Sequence, residues 1–493
     1  MIVQSDYLSL DASFQGLSGA DIEAFAAKRL PASFDKLRAQ LLDGEFMNAS
    51  EGREVTHCLN RSTHSVVRAG NGKNRFQEIV RELRSGRWKG GTGRVIKHVV
   101  NIGVGGSDLG PMMGSFALRE FADDASLHNL QVHFVSSMDG GQLYAVLPLV
   151  DPEETLFIIA SKSFGTIDTL ANVATVRRWI GAAGAGKGSL TDEQWLARHV
   201  IGVSSNSLAM TEFGIPASQQ LSFAPSVGGR FSLWSAIGLP IALTVGVHQF
   251  GRMLDGAAAM DEHFGAAPLL ENIPLLLALF GVYNREVRGI NNVAVLPYDG
   301  RLRYLPSYLQ QLDMESNGKQ VNHAGKAIDY PTGPIIWGGF GPNGQHAFFQ
   351  HLHQGYDNFA ADFVAVLRRS APGFSAAVAD GLASQQRLAM TNCLAHRRLM
   401  WFGSQSAEPR HCYPGGHPSN LLLMDELTPE SFGALIAAYE HKVFTQGVIW
   451  ELNSFDQPGV ELGKKIAQGM LDGLDDVDAL DVDESTRAVL KRL

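Results

Sequence analysis

Short, almost wholly apolar segments recur along the chain, and they constrain its fold more than any other feature of the sequence. Those with the length of strands are 98–102, 132–135, 155–160, 199–203, 293–296, 334–337, 362–366 and 421–424. Strands that are apolar on both faces are typical of parallel sheets covered by helices. Helical patterns alternate with them, chiefly at 166–180, 231–247, 268–287 and 429–443. The alternation predicts an α/β fold with parallel-rich sheets flanked by helices.

The predicted strands fall into two groups, one within about residues 98–225 and the other within about residues 290–425. A long helical region, 231–288, separates the two groups. The chain has 493 residues, which is long enough for more than one compact unit. We therefore expect two α/β domains rather than one very large sheet, followed by a charged, helical tail after Gly459.

The charge balance narrows the class of ligand. Lys and Arg total 41 against 50 Asp and Glu, so the net charge is −9. Such a surface repels polyanions, which disfavours a nucleic acid or an anionic membrane as partner.

Three widely spaced cysteines, and an N-terminus without the segments of a signal peptide, indicate a reduced, cytoplasmic protein. The most apolar stretch, 231–247, is interrupted by serines and a proline and is too short to span a bilayer.

A glycine-rich segment follows the first predicted strand. Residues 101–110 read NIGVGGSDLG, in which Gly106 lets the backbone approach a ligand and Ser107 offers a hydroxyl at a helix start. Backbone N–H groups in such a loop bind anions. A tight turn at the end of a strand explains the same residues, so this motif alone leaves both interpretations open.

A second polar segment follows the strand at 155–160. It reads SKSFGT and places hydroxyls and one cation before a helix, at Ser161, Lys162, Ser163 and Thr166. The helix dipole and the converging donors suit a single phosphate group. The alternative is a set of capping and solvated polar residues. Two such clusters at strand ends of one predicted sheet favour the phosphate site.

Two further motifs place an isolated charge where chemistry could use it. Arg230 follows two glycines in SVGGRFSLWS, and a guanidinium there could stabilise an oxyanion. Glu315, in QLDMESNGK, ends a helical pattern at 304–314, and a carboxylate there could serve as a general base. A structural salt bridge for Arg230 and a solvated helix end for Glu315 are the alternatives.

Other resemblances to known motifs fail on inspection. The segment 181–188 lacks the Ser or Thr of a P-loop and is predicted to be a loop, and 339–344 carries a proline in its phosphate turn. His346, His351 and His353 do not have a standard metal-ligand spacing, so no metal is expected. Lys464 could reach a site, although a solvated helix face also explains it.

Taken together, the motifs identify the chain as similar to the phosphoglucose isomerase family. The resemblance is carried by NIGVGGSDLGP, SKSFGT, SVGGRFSLWSAIG, QLDMESNGK, NGQHAF and GVIWELNSFDQPGVELGK, in this order and over most of the chain. It implies two sugar-isomerase-type α/β sandwich domains, a smaller one at 61–241 and a larger, discontinuous one at 1–60 and 242–458. A helical C-terminal arm at 459–493 completes the expected organisation.

The resemblance also implies an activity and its residues. The expected enzyme is an aldose–ketose isomerase without a cofactor that interconverts D-glucose 6-phosphate and D-fructose 6-phosphate through a cis-enediolate after ring opening. Glu315 would move the proton, Arg230 would stabilise the enediolate, and His346 with Lys464 would open the ring. His346 would come from the neighbouring subunit, which implies a homodimer with shared active sites. The residues expected to hold the 6-phosphate or line the sugar are Gly106, Ser107, Ser161, Lys162, Ser163, Thr166, Gly229 and Gln311.

Some positions depart from the pattern of the family. The phosphate loop has Ser163 and Gly165 where threonines are common, and Asp168 stands where a glutamate often orients the histidine. Pro342 replaces a usual threonine and His417 a usual arginine. None of these changes removes a proposed acid, base or cation. A sugar-phosphate-binding regulator without catalysis, a metal-dependent isomerase and an isomerase that also accepts mannose 6-phosphate remain the alternatives.

Overall fold

The structure is a computed structural model that describes residues 1–64, 66–67, 74–123, 130–183 and 191–493. These residues form two compact units, Met1–Ser454 and Phe455–Leu493. The strands are β1 Ile2–Gln4, β2 Ser9–Phe14, β3 Met47–Asn48, β4 Arg53–Glu54, β5 His98–Ile102, β6 Gln131–Val135, β7 Thr155–Ala160, β8 Val200–Ser204, β9 Gln220–Ser222, β10 Asn292–Pro297, β11 Ile335–Gly338, β12 Ala360–Arg368 and β13 Ser419–Glu426.

The helices alternate with these strands through most of the first unit and make up most of the second. They are α1 Gly19–Arg29, α2 Phe34–Leu42, α3 His57–Ser62, α4 Arg75–Arg84, α5 Leu109–Leu118, α6 Gly141–Val146, α7 Ile167–Ala183, α8 Asp192–His199, α9 Ser207–Glu212, α10 Leu239–Val245, α11 Val247–Ala266, α12 Ile273–Glu286, α13 Leu305–Leu309, α14 Gly341–Gly344, α15 Phe349–Gln354, α16 Ala376–Phe402, α17 Pro429–Ile449, α18 Glu461–Asp472 and α19 Glu484–Leu490. The predicted loop at 181–188 begins inside α7, and its residues 184–188 lie outside the described residues.

The first sheet confirms the first group of predicted strands. Its order is β6-β5-β7-β8-β9, and every pairing in it is parallel. Every residue of β7 and β8 is buried, as expected for strands covered on both faces. The side chains that pack on one face of this sheet include Val100, Phe157, Val173, Trp195 and Met210.

The second sheet confirms the second group and adds strands that the sequence pattern did not predict. Its order is β1-β2-β13-β12-β10-β11. The strands β10 to β13 pair in parallel, whereas β2 pairs antiparallel with both β13 and the edge strand β1. β2 alternates polar and apolar residues and buries only one face, so it lacks the apolar run that marks the central strands.

The predicted continuous helix at 231–247 was wrong. The chain there forms two short 3₁₀ segments, Gly229–Trp234 and Ala236–Gly238, before α10 begins. Ser235 interrupts the helix because it is extended and its side chain caps the second 3₁₀ segment at Ile237 N. This irregular path places Arg230 in the first turn of a 3₁₀ segment.

Helix α17 forms the centre of the first unit and is buried almost along its whole length. Gly256 of α11 and Gly433 of α17 explain how closely these two helices pack. A Cβ at Gly256 would lie 2.0 Å from Glu430 O, and a Cβ at Gly433 would lie 2.0 Å from Met253 O. The contact is therefore backbone to backbone, which makes α17 a rigid support for the segments that surround it.

Candidate functional site

The two polar loops predicted from the sequence lie next to each other, at the carboxyl ends of the adjacent strands β5 and β7 of the first sheet. β5 pairs with β6 on one side and with β7 on the other, all in parallel. The connections that leave the carboxyl ends of β5 and β7 therefore diverge at a switch point of the sheet. Ligands of open α/β sheets bind at such points.

The loop after β5 touches the segment that carries Arg230. A Cβ at Gly106 would lie 2.1 Å from Gly229 O and 2.8 Å from Arg230 N, so only glycine permits this contact. Ser107 is buried, and its carbonyl accepts a hydrogen bond of 3.0 Å from Asn101 Nδ2. The glycines therefore bring two backbone segments together.

The loop after β7 gathers hydroxyls around one lysine. Ser161 is buried, and its hydroxyl lies 2.9 Å from the hydroxyl of Thr166. Ser163 is exposed and accepts a hydrogen bond from the backbone N–H of Gly165 at 3.3 Å. Burial, together with the positive charges of Arg53 and Arg230, lowers the pKa of Lys162 to about 8. Burial and the neighbouring cations destabilise the charged form of Lys162, so a bound anion would stabilise it.

Arg230 is held on three sides. Its Nε donates to Ser316 Oγ at 2.6 Å, and its Nη2 donates to the carbonyl of Ser454 at 2.6 Å. Its Nη1 faces Glu315 Oε2 at 3.3 Å. The guanidinium is almost completely buried, and its side chain is only 2% exposed. A fixed guanidinium beside a carboxylate is an arrangement that both structural ion pairs and oxyanion sites use.

Glu315 and Gln311 share one turn of π-helix, Gln310–Glu315, which follows α13. π-Helical turns are rare and are frequently found at functional sites. Within the described residues, Gln311 Oε1 is buried and accepts no hydrogen bond. A Cβ at Gly105 would lie 3.0 Å from Gln311 Nε2, so the amide faces the loop after β5. An unsatisfied amide oxygen at this place suits a ligand hydroxyl.

The structure thus brings Arg230, Glu315 and Gln311 together with the loop after β5, and within the described part of the first unit it shows no side-chain contact between His346 and these residues. His346 is exposed between α14 and α15, and its side chain has no partner among the described residues. Lys464 lies in the second unit, where its Nζ pairs with Glu461 Oε1 at 2.9 Å.

The positions that depart from the family pattern differ in their structural surroundings. Asp168 lies in the first turn of α7, and its Oδ1 is buried without a partner in the described part of the chain. Pro342 starts α14, where the missing N–H costs nothing. The His417 ring stacks on Phe359 at 4.1 Å, and burial lowers its pKa.

The sequence did not identify some residues that shape the site. Ser316 and Ser454 hold Arg230, and Arg53 is close enough to affect the charge of Lys162. Ser316 could have been suspected because it follows Glu315 directly. No local sequence pattern marks Arg53, because only the tertiary fold brings it near Lys162.

Two of the three histidines considered as metal ligands have separate partners. His351 pairs with Asp357 at 3.1 Å, whereas His353 bonds to His396 at 2.9 Å. Burial and neighbouring histidines lower the pKa of His353 to about 4. Over the ranges that the structure describes, no group of three or more His, Cys, Asp or Glu is suited to a metal ion. None of the helices in those ranges is long and apolar enough to cross a membrane.

Comparisons of the sequence with known proteins all find one family. The family model described as phosphoglucose isomerase matches residues 13–490. The glucose-6-phosphate isomerase of Idiomarina loihiensis is 69% identical over 494 residues and is covered completely, as is this chain. That of Psychrobacter cryohalolentis is 44% identical over 511 residues, covering 99% of this chain and 91% of the relative.

Solved structures give the same answer about the fold. The crystal structure of a glucose-6-phosphate isomerase from Chlamydia trachomatis superposes with a TM-score of 0.80 at 30% identity, covering 100% of this chain and 92% of the other. A hypothetical protein from Thermus thermophilus superposes with a TM-score of 0.71 at 24% identity, covering 94% and 99%. The second likeness concerns the fold alone.

Proposed function

Because the chain belongs to the phosphoglucose isomerase family, we propose that the residues around Arg230 and Glu315 are where it interconverts D-glucose 6-phosphate and D-fructose 6-phosphate. The reaction is an aldose–ketose isomerisation of glycolysis and gluconeogenesis. The fold is that of the sugar-isomerase α/β sandwiches. Its division into 61–241, 1–60 with 242–458, and 459–493 is part of the proposal.

The distance of 3.3 Å between Arg230 Nη1 and Glu315 Oε2 supports the proposal most directly. In the open-chain aldose the carboxylate of Glu315 takes the proton from C2, the electron pair of that C–H bond forms the C1–C2 double bond, and the π pair of the carbonyl moves onto the oxygen of C1. Arg230 stabilises the resulting cis-enediolate, whose negative charge lies on that oxygen. The hydroxyl proton on the oxygen of C2 passes to the oxygen of C1, and Glu315 returns its proton to C1 as the C2 carbonyl forms. The product is the ketose, without net oxidation or reduction.

The 6-phosphate is assigned to the loops at the switch point. The paired hydroxyls of Ser161 and Thr166, the hydroxyl of Ser163 and the ammonium of Lys162 lie before α7, whose N-terminus favours an anion. Ser107 and the backbone at Gly106 complete this part of the site from the loop after β5. The local positive charge offsets the repulsion that the net charge of −9 would otherwise exert on a phosphate.

The sugar is placed between this phosphate site and Glu315. Gln311 contributes the buried oxygen that lacks a partner among the described residues, and Gly229 leaves open space beside the loop because no described atom lies within 4 Å of a Cβ there. His346 and Lys464 are proposed to open the ring as an acid–base pair. This assignment rests on their positions in the family motifs.

We further propose a cytoplasmic homodimer in which the partner subunit supplies His346. The exposure of His346, and the absence of a side-chain partner for it within the described chain, agree with a contribution across an interface. The free thiols of Cys58, Cys393 and Cys412 agree with a reducing compartment.

The activity is tested first by a coupled assay that converts fructose 6-phosphate to glucose 6-phosphate in the presence of EDTA. We expect turnover that the chelator does not reduce. Bound sugar phosphate without turnover would instead support a regulator, and loss of turnover with EDTA would support a metal-dependent isomerase.

The role of Glu315 is tested by Glu315→Gln, which keeps the shape and removes the base. We expect kcat to fall by about 10²–10⁴-fold while fructose 6-phosphate still binds, measured by steady-state kinetics and calorimetry. Activity near that of the wild type would remove Glu315 from the mechanism.

The shared site is tested by mixing two inactive variants, Glu315→Gln and His346→Ala. If the partner supplies the histidine, a mixed dimer contains one site with both native residues. Free exchange of subunits should then restore about a quarter of the wild-type activity. No recovery, with exchange confirmed by mass spectrometry of tagged chains, would place both residues of a site in one subunit.

A further inference from the structure

Helix α17 carries three successive ionisable residues, Glu440, His441 and Lys442, and all three are buried in the first unit. Burying a charge is costly unless a partner offsets the loss of water. The partners of Glu440 and Lys442 therefore indicate which parts of the fold these residues hold.

Glu440 holds the segment that carries Arg230. Its carboxylate accepts hydrogen bonds from Trp234 Nε1 at 3.0 and 3.1 Å and pairs with the fully buried Arg61. Trp234 ends the 3₁₀ segment that starts at Gly229. Tyr308 Oη lies 3.4 Å from Glu440 Oε1 and 3.2 Å from the carbonyl of Arg230, so it links the carboxylate to the same segment.

Lys442 holds the segment that carries Glu315. Its Nζ donates to Asp313 Oδ2 at 2.9 Å, and the two side chains are 7% and 3% exposed. Asp313 lies in the π-helical turn, two residues before Glu315. Burial alone would lower the pKa of Lys442, but Asp313 and Asp362 raise it above its ordinary value, so Lys442 keeps its positive charge. Because π-helical geometry is rarely stable by itself, an external tether is expected.

We propose that Glu440 and Lys442 are positioning residues, which use one rigid helix to fix Arg230 and Glu315 relative to each other. The inference rests on the proposed function of that pair. The two reacting groups come from distant parts of the chain and must keep a separation of 3.3 Å. A misplacement of about 1 Å in such an arrangement costs on the order of 100-fold in rate.

The test compares Lys442→Met and Glu440→Gln with Gln446→Met. Gln446 is a buried polar residue of the same helix, but its amide donates to the carbonyl of Ala278 in α12, away from the site. In Glu440→Gln one carboxylate oxygen becomes an amide NH2 group, so the negative charge that pairs with Arg61 is lost and a donor faces the donors that surround this side chain.

We expect kcat to fall by about 10–100-fold in Lys442→Met and by about tenfold in Glu440→Gln. The KM for fructose 6-phosphate should change less than about threefold in both, because the phosphate loops are untouched. The control should keep its kcat at a temperature well below the unfolding midpoint of every variant.

A second variant separates positioning from stability. Asp313→Asn combined with Lys442→Met removes both buried charges, so its melting temperature should recover toward that of the wild type. If the ion pair positions Glu315, kcat stays low in this variant although the fold is stable. Recovery of kcat together with the melting temperature would overturn the proposal.

Retention of kcat within twofold in both single variants would also overturn it. The Glu315→Gln variant, assayed alongside, distinguishes the two levels of the argument. If that variant remains active, the proposed function itself fails. If it is inactive while the α17 variants remain fully active, only the positioning role fails.

Discussion

The contact between Gly106 and Gly229 offers a sharp test of how the site is assembled. A methyl group at residue 106 would lie 2.1 Å from Gly229 O and 2.2 Å from Gly229 C. Real Cβ contacts essentially never fall below 3.0 Å, so the two backbone segments must move apart by about 0.9 Å. Both atoms belong to the backbone, so no side-chain rotation can relieve the overlap.

The expected effect of Gly106→Ala follows from this displacement. Gly229 precedes Arg230, so the shift moves the guanidinium away from its place beside Glu315. A misplacement of about 1 Å costs on the order of 100-fold in rate. We therefore expect kcat for fructose 6-phosphate to fall by about 100-fold, and the free energy of unfolding to fall by about 1–3 kcal/mol, as for other overpacked sites.

Gly251→Ala is the matched control. Gly251 lies within α11, and among the described residues no atom comes within 4 Å of a Cβ there. This variant should keep the wild-type kcat and gain about 0.5–1 kcal/mol of stability, since alanine favours the helix. Steady-state kinetics and urea unfolding give both quantities. If Gly106→Ala kept its kcat within threefold, the close approach would not determine the position of Arg230.

Further predictions concern the charges and hydrogen bonds of the same region. Lys162 has a pKa of about 8, so the KM for fructose 6-phosphate should rise by up to about tenfold per pH unit above that value. The rise should be absent in Lys162→Met, and a parallel rise in both proteins would exclude the lysine as its cause. Burial raises the pKa of Asp108 to about 6, so ionising this carboxyl lowers the free energy of unfolding as the pH rises from about 4 to 6. Asp108→Asn should therefore increase the free energy of unfolding by about 1–3 kcal/mol at pH 8 and by less at pH 4, measured in urea. Ser316→Ala removes the 2.6 Å bond to Arg230 Nε and should lower kcat about tenfold, and an unchanged kcat would mean that the remaining contacts suffice.

The sequence predicted the central strands of both sheets because their apolar runs are a local property. The observed strands β5 and β7 have the predicted bounds, and the other predicted strands differ by no more than two residues at either end. Strand β2 was not predicted, because it lacks an apolar run of its own and is stabilised by its pairing with β1 and β13. The helix predicted at 231–247 was wrong because Ser235 is extended and caps a second 3₁₀ segment, a break that the apolar pattern of these residues does not reveal.

The candidate site likewise has some features that local sequence determines and others that depend on tertiary packing. The motifs by themselves determined the residue types, the order of the loops along the chain, the family and hence the reaction. Only the tertiary structure decided that Arg230 lies 3.3 Å from Glu315 and that Gly106 touches Gly229. Local sequence encodes turns, caps and apolar faces, because these depend on neighbours in the chain. The distance between groups 85 residues apart depends on how buried helices and sheets pack, which no local pattern contains.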